Sequence, residues 1–454
     1  MNSDPRDVLA HASMSRLQIA VVGLTIALNA LDGFDILSIS FASPGIATEW
    51  GIDRGALGIV LSMELIGMAI GSIVLGGVAD KIGRRPTILG CLAVMSFGML
   101  MATTVTGLVD LSIWRVVTGL GIGGMLAAIN AVAAEFSSTR RRHLSVSLMS
   151  IGYPVGAVVG GIVAAWLLQS NDWRSVFYFG AGITATLIPI TYFLMPESVH
   201  WLARKQPSGA LAKINRAMTR MGHATISALP TLSADARQRS ISDIFGPGLV
   251  VITSLVAVAY FFHITTFYFI LKWVPKIVAD FGFAASSAAG VLVWTNVGGA
   301  TGGAVLGFLT LRFGVKGLTI SVMLLSTVMV ALFGQTPPDL QRLSMICAAA
   351  GFFTNAAIVG MYAIFAQVFP THVRASGTGF AVGVGRGGSV LAPIIAGFLF
   401  EGGYPLATVA LMMSMGSLVA AGVLSFLKLE TDQPVAQRPE RHVSTTPIPA
   451  PGRS

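Results

Sequence analysis

Charge is scarce in this sequence. Only 11% of its 454 residues are Asp, Glu, Lys or Arg, against about a quarter in soluble domains. Hydrophobic types make up 54%, and mean hydropathy is +0.76. A chain so poor in charge could not cover the roughly three globular surfaces that its length would otherwise suggest, which excludes a string of soluble domains and points to one membrane-embedded bundle. Cysteine is scarcer still: Cys91 and Cys347 both fall inside apolar runs, excluding a disulfide scaffold or a zinc site. No His/Cys/Asp/Glu set has metal-ligand spacing and no nucleophile motif stands out, so neither an enzyme nor a cofactor is expected. No soluble signalling domain follows the bundle, which argues against a sensor. The first apolar run holds two aspartates and no small-residue cleavage site, so it reads as a retained helix and not a secretory signal.

What is present is a series of long apolar runs. A bilayer core of about 30 Å needs about 20 residues per helix, and twelve runs qualify, near 18–40, 56–79, 87–106, 110–134, 145–168, 174–195, 248–271, 285–310, 317–335, 343–367, 376–400 and 404–427. The expected fold is therefore an all-α membrane protein of twelve transmembrane helices in two six-helix halves, 18–195 and 248–428. A tail (1–17) precedes them, a basic linker (196–247) joins them, and a Pro-, Arg- and Ser-rich tail (429–454) is expected to be disordered. Within the linker, SGALAKINRAMTRMG shows helical spacing with Ser208 as its expected cap.

The net charge of +9 would suit nucleic acid, but the basic residues sit between the apolar runs, where they report topology. With both termini inside, the inner loops and tails carry 22 Lys and Arg and the outer loops five: Arg54, Arg174, Lys272, Lys276 and Arg342. Both termini are thus expected to be cytoplasmic. Internal repetition is visible directly: residues 71–85 (GSIVLGGVADKIGRR) align without a gap on 302–316 (GGAVLGFLTLRFGVK). Two parallel six-helix units suggest a rocker-type secondary transporter, its substrate site between the halves near the midplane.

The motifs resemble those of a known family. GGVADKIGRR at 76–85 resembles the loop signature of the major facilitator superfamily, and RVVTGLGIGG (115–124), PESVHWL (196–202) and a weak LET (429–431) agree with it. LDGFDILSISFASPGI (31–46) resembles the paired-aspartate motif of the aromatic acid:proton symporter family within that superfamily. The resemblance implies the major facilitator fold and import of a benzoate-type or hydroxybenzoate-type acid with protons across a bacterial inner membrane, by a protein expected to be monomeric. It also implies roles for Asp32, Asp35, Asp80, Arg115, Glu135, Arg374 and Arg386. Leu311 stands where an acidic residue would match Asp80 in the second half.

Physical chemistry gives those residues work to do. A charge in the bilayer core costs at least about 2.5–3.5 kcal/mol on insertion scales, so Asp32, Asp35, Glu64, Arg115 and Arg386 call for partners, water or protons. Asp32 and Asp35 lie three apart on one helix face; double ionisation is disfavoured there, which makes the pair a candidate proton carrier, with Glu64 and Arg115 as further coupling candidates. Arg386, in VGVGRGGSV, could grip a carboxylate with both arms of its guanidinium. Tyr268, Trp294 and Asn296 are the preferred lining candidates for an aromatic ring, with Tyr153 and Tyr362 behind them. His263 reads as a packing residue rather than a proton relay. Asp80, Lys81, Arg84, Arg85, Glu135 and Arg374 form an expected gate, with Asp80 meeting the start of the eleventh span. The GxGxxG spacing in the fourth span has no preceding strand, which rules against nucleotide binding. Sugar, aliphatic-acid or drug transport is the alternative within transport, and sensing without flux a remote one.

Overall fold

A computed structural model describes residues 4–230, 244–246, 248–370 and 373–427. The carboxy-terminal tail, its LET motif and part of the linker lie outside the described residues. The amino-terminal segment forms a short helix, α1 (Pro5–His11), which buries Leu9. The first six spans are α2 (Arg16–Trp50), α3 (Arg54–Ile82), α4 (Arg84–Ala102), α5 (Leu108–Glu135), α6 (Arg142–Leu167) and α7 (Arg174–Leu194). Two short linker helices follow, α8 (Val199–Lys205) and α9 (Ala210–Arg220). The second six are α10 (Val250–Asp280), α11 (Ala285–Leu309), α12 (Val315–Phe333), α13 (Leu340–Val368), α14 (Arg374–Glu401) and α15 (Leu406–Ser425).

All twelve expected spans are present, and two run further than expected. α2 begins where Ser15 and Gln18 form a capping box and ends at Gly51 in the left-handed conformation, φ 58°, the usual stop for a helix. It passes through Pro44 because the Ser43 hydroxyl donates to the Ser40 carbonyl at 2.9 Å, the carbonyl that a proline nitrogen cannot serve. α10 likewise continues past residue 271, through Pro275, to Asp280. Lys272 therefore does not sit in an outer loop as expected. It is fully buried inside the bundle, leaving Arg54, Arg174, Lys276 and Arg342 at that face. In the linker, Ser208 is not the cap of α9; Gly209, φ 72°, occupies that position without a side-chain bond.

The internal repeat extends to the helix starts. α3 and α11 begin at 54 and 285, α4 and α12 at 84 and 315, both 231 apart. α5 and α13 begin at 108 and 340, α6 and α14 at 142 and 374, α7 and α15 at 174 and 406, all 232 apart. Packing repeats as well: α2 on α6, α3 on α5 and α4 on α7 are matched by α10 on α14, α11 on α13 and α12 on α15. Glycine permits the closest approaches; a Cβ at Gly156 of α6 would lie 1.8 Å from the Ala30 carbonyl oxygen of α2.

Chain alternation puts α1, α8, α9 and the start of α2 on one face, called here the amino-terminal face, and the starts of α3, α5, α11 and α13 on the far face. The halves meet through α3 on α14, α6 on α11, and α2 on α10. Toward the far face they share one apolar core, from Phe41, Leu57 and Phe177 to Trp273, Leu292 and Ala396. There a Cβ on Gly58 would strike the Pro393 carbonyl at 2.4 Å, and Arg54 pairs with Asp280 at 2.8 Å across the halves. Toward the amino-terminal face each half has a core of its own, one built around Leu28, Met95 and Ile129 and the other around Tyr260, Met361 and Phe365. The halves are thus closed together at the far face and diverge toward the amino-terminal face. Tyr268 packs against all three cores, at the apex of that divergence.

Candidate functional site

Five charged side chains are fully buried near this apex: Asp32 and Asp35 on α2, Glu64 on α3, Arg115 on α5 and Lys272 on α10. At about 1.5 Å per residue, Glu64 lies roughly 15 Å, Lys272 roughly 12 Å and Arg115 roughly 10 Å from the far-face ends of their helices. Arg115 forms an ion pair with Glu64, donates to the Asp35 backbone carbonyl at 3.1 Å, and lies 5.2 Å from the centroid of the Phe177 ring. Lys272 crosses between the halves, donating to the Ile36 carbonyl and standing 3.9 Å from the other Glu64 oxygen. Glu64 thus takes both cations. Among the described residues the four carboxylate oxygens of Asp32 and Asp35 have no hydrogen-bond donor, though Asp32 is within electrostatic reach of Arg386 and Asp35 of Arg115. Buried carboxylates without donors are unfavourable unless neutralised.

Arg386 lies on α14, twelve residues from its start, half-buried and within electrostatic reach of Tyr260 and Tyr268. The neighbouring glycines admit α10: a Cβ at Gly385 would be 2.3 Å from the Tyr260 ring and one at Gly388 would be 2.4 Å from the Phe261 carbonyl. The Tyr260 hydroxyl meets that of Tyr362 at 3.0 Å, so Arg386, Tyr260, Tyr268 and Tyr362 form one polar aromatic wall. Next to it a pocket between the halves is lined by Tyr153 of α6, Phe267 of α10, Asn296 of α11, and Thr354 and Asn355 of α13.

Of the lining candidates, Tyr153, Asn296, Tyr268 and Tyr362 lie in this central region. Trp294 does not join them. It is 54% exposed and shares a lateral cleft between α6 and α11 with Ile162, Trp166 and Gln169, because it lies two residues from Asn296 and so on another side of the helix. His263 is bonded at both ring nitrogens, with Nε2 donating to the Thr354 carbonyl at 2.8 Å and Nδ1 accepting from the Ser417 hydroxyl at 2.9 Å.

The loop between α3 and α4 forms a tight ionic cluster. Arg84 bonds Asp80 at 2.8 Å and Glu135 at 3.1 Å, and Arg204 of α8 reaches Asp80 at 3.1 Å. Glu197 accepts from the backbone N–H of Arg84 at 2.9 Å and of Ser198 at 2.8 Å, closing the start of α4. Burial raises its carboxyl above the ordinary value, against the pull of those N–H groups.

A family model of the Major Facilitator Superfamily matches residues 25–347 and 256–452. The chain belongs to the major facilitator superfamily. Among curated relatives, the gallate transporter of Pseudomonas putida is 26% identical over 423 residues, covering 92% of this chain and 93% of that protein. The 4-hydroxybenzoate transporter PcaK of Acinetobacter baylyi is 27% identical, covering 94% of each. The 3-(3-hydroxy-phenyl)propionate transporter of Escherichia coli is 28% identical, covering 90% of this chain and 93% of that protein. Among solved structures, the inward open conformation of the xylose transporter XylE from E. coli superposes with a TM-score of 0.69 at 18% identity, covering 92% of this chain and 99% of that one. At that identity the likeness speaks for the fold alone.

In this superfamily member the expected gate is assembled only within the amino-terminal half. Among the described residues Asp80 takes its side-chain partners from Arg84 and Arg204, not from the start of α14, where Arg374 is exposed and bonds the Phe369 carbonyl. Arg84 alone of the three basic residues reaches Glu135; Lys81 is exposed, and Arg85 turns to the Tyr192 carbonyl and ring. The absence of a bond to α14 follows from the divergence of the halves at this face. Sequence reasoning missed Lys272, Tyr260, Asn355, Glu197 and Arg204. Apolar spacing continuing through Val274, Ile277 and Val278 would have carried the helix past Lys272, and Asn355 is a polar residue in an apolar run.

Proposed function

We propose that this protein is a secondary active transporter that imports an aromatic carboxylate together with protons by alternating access across a bacterial inner membrane, with both termini cytoplasmic. In that orientation the amino-terminal face is the cytoplasmic one and the structure is the inward-facing form. The observation that carries the reading is the buried cluster at the cleft floor, where Glu64 occupies Arg115 and Lys272 and leaves the Asp32/Asp35 pair in need of a proton. Arg386, half-buried beside tyrosines, supplies a guanidinium for a carboxylate. The names of the curated relatives favour aromatic acids as cargo, and the 22 basic residues on one side support the orientation.

In this reading protonation of the aspartate pair and binding of the anion at Arg386 together permit the switch. One proton moving with a monoanion is electrically neutral, so a pH gradient alone drives it, whereas a second proton would add about 2.3 kcal/mol per 100 mV. Lys272 holds the far face shut in the form seen here, and the exposed Arg54–Asp280 pair adds little to it. Asp80, Arg84 and Glu135, with Lys81, Arg85 and Arg374 nearby, would close the amino-terminal face in the other form.

The test is uptake of labelled 4-hydroxybenzoate, benzoate and xylose into proteoliposomes under an imposed pH gradient, repeated with Asp32→Asn and Arg386→Ala. Accumulation of the aromatic acids alone is expected, lost when the gradient is collapsed and in both variants. Uptake of xylose alone, or undiminished accumulation in both variants, would overturn the reading.

A further inference from the structure

The pocket between the halves has an uneven hydrogen-bonding character. The amide nitrogen of Asn296 donates to the Leu292 carbonyl at 2.8 Å, and that of Asn355 donates to the Gly299 carbonyl at 2.6 Å. Only the nitrogen of an amide can donate to a carbonyl, so these bonds fix the side-chain orientation and leave each amide oxygen as the opposite arm. Neither oxygen has a partner among the described residues. Thr295 and Thr354, in the same lining, are buried and spend their hydroxyl hydrogens on carbonyls of their own helices, at 3.0 Å to Val291 and 2.7 Å to Ala350, so they offer the pocket no donor. The two free amide oxygens therefore give the pocket a pair of acceptors, faced by the Phe267 ring and by Tyr153, whose hydroxyl can donate or accept.

We infer that Asn296 and Asn355 form a subsite that selects cargo bearing a hydrogen-bond donor on its ring, a phenolic hydroxyl or an aryl amine, over the same acid without one. This rests on the proposed transport of aromatic acids and deepens it. A ring that brings a donor pairs with an oxygen that it covers, while a bare ring takes the same oxygens from water and leaves them unpaired. A methoxy group, which accepts but cannot donate, gains nothing from these two oxygens. Sites built to bond a hydroxyl reject analogues lacking it much more strongly than apolar pockets reject a missing methylene.

The test is equilibrium binding to purified full-length protein by calorimetry, with benzoate, the three hydroxybenzoates and the three methoxybenzoates. The tightest hydroxybenzoate is expected to bind at least about tenfold more tightly than benzoate and than its methoxy counterpart. Asn296→Leu and Asn355→Leu, of similar volume, are expected to bring the ratio of hydroxybenzoate to benzoate affinity toward one, the ratio and not the absolute affinity being the readout. A ratio near one in the unaltered protein overturns the inference and leaves aromatic-acid transport standing. A ratio that persists in both variants overturns the assignment to these asparagines. Absence of binding by any aromatic acid overturns both readings. Should either variant fail to fold, the ligand series on the unaltered protein still decides whether a donor is selected, and Asn355→Ser replaces the leucine variant.

Discussion

Replacing Lys272 by methionine tests how the far face is held shut. The side chain is fully buried, donates to the Ile36 carbonyl across the halves and stands 3.9 Å from Glu64. At that distance and an effective dielectric of about 20, the attraction is about 4 kcal/mol. Removing an ammonium from water costs several kcal/mol, so the two terms largely cancel in overall stability, and methionine fills a similar volume. Glu64 keeps Arg115 as its partner, so no carboxylate loses its last cation. In the proposed alternating-access cycle, however, the tie to Ile36 exists only while the far face is closed, so its loss falls on the equilibrium between the two forms. A coupling of about 1–3 kcal/mol corresponds to a shift of about 5- to 150-fold. Spin labels at Asn171→Cys and Gln335→Cys, exposed positions at the far face of the two halves, read this as a longer-distance population in pulsed dipolar spectroscopy. Arg54→Gln is the control, since an exposed pair such as Arg54–Asp280 is worth at most about 1 kcal/mol. A Lys272→Met distance distribution that superimposes on the parent's, or one matched by Arg54→Gln, would refute the reasoning.

Two further predictions concern the scaffold. Glu197 has its carboxyl raised by burial above the ordinary value of 4.5, so the folded protein holds that proton more tightly than the unfolded chain. Its contribution to stability therefore falls as pH rises from near 4.5 through the folded value. Glu197→Gln, which keeps an acceptor for the Arg84 N–H, is expected to remove this loss, and melting temperatures of the two proteins should diverge in favour of the variant as pH increases from 4 to 7. Gly156→Leu would force a side chain into the space where even a Cβ lies 1.8 Å from the Ala30 carbonyl. It is expected to separate α2 from α6 and lower the melting temperature in detergent, whereas the same change at Gly182, where nothing lies within 4 Å, should leave it nearly unaltered.

The sequence by itself determined the twelve spans, their pairing into two parallel halves and the presence of ionisable residues within them. These are local or periodic properties: apolar runs must reach across the hydrocarbon, and a duplicated segment retains its register, here to within one residue over five helix starts. It also made Asp32, Asp35, Arg115 and Arg386 conspicuous, because each interrupts an apolar run. Only the tertiary structure decided which charge faces which. Glu64 acquired meaning from Arg115 and Lys272, residues 51 and 208 positions away in the chain, and Lys272 was concealed by a proline that the helix absorbs. Trp294 and Asn296 are two residues apart, yet one lies in a lateral cleft and the other in the central pocket. Composition cannot separate them, since a residue's side of a helix is known only once the neighbouring helices are placed. The unpaired aspartates and the far-face closure belong to this same level, because an ion pair or a gate is a relation between distant segments that packing alone brings together.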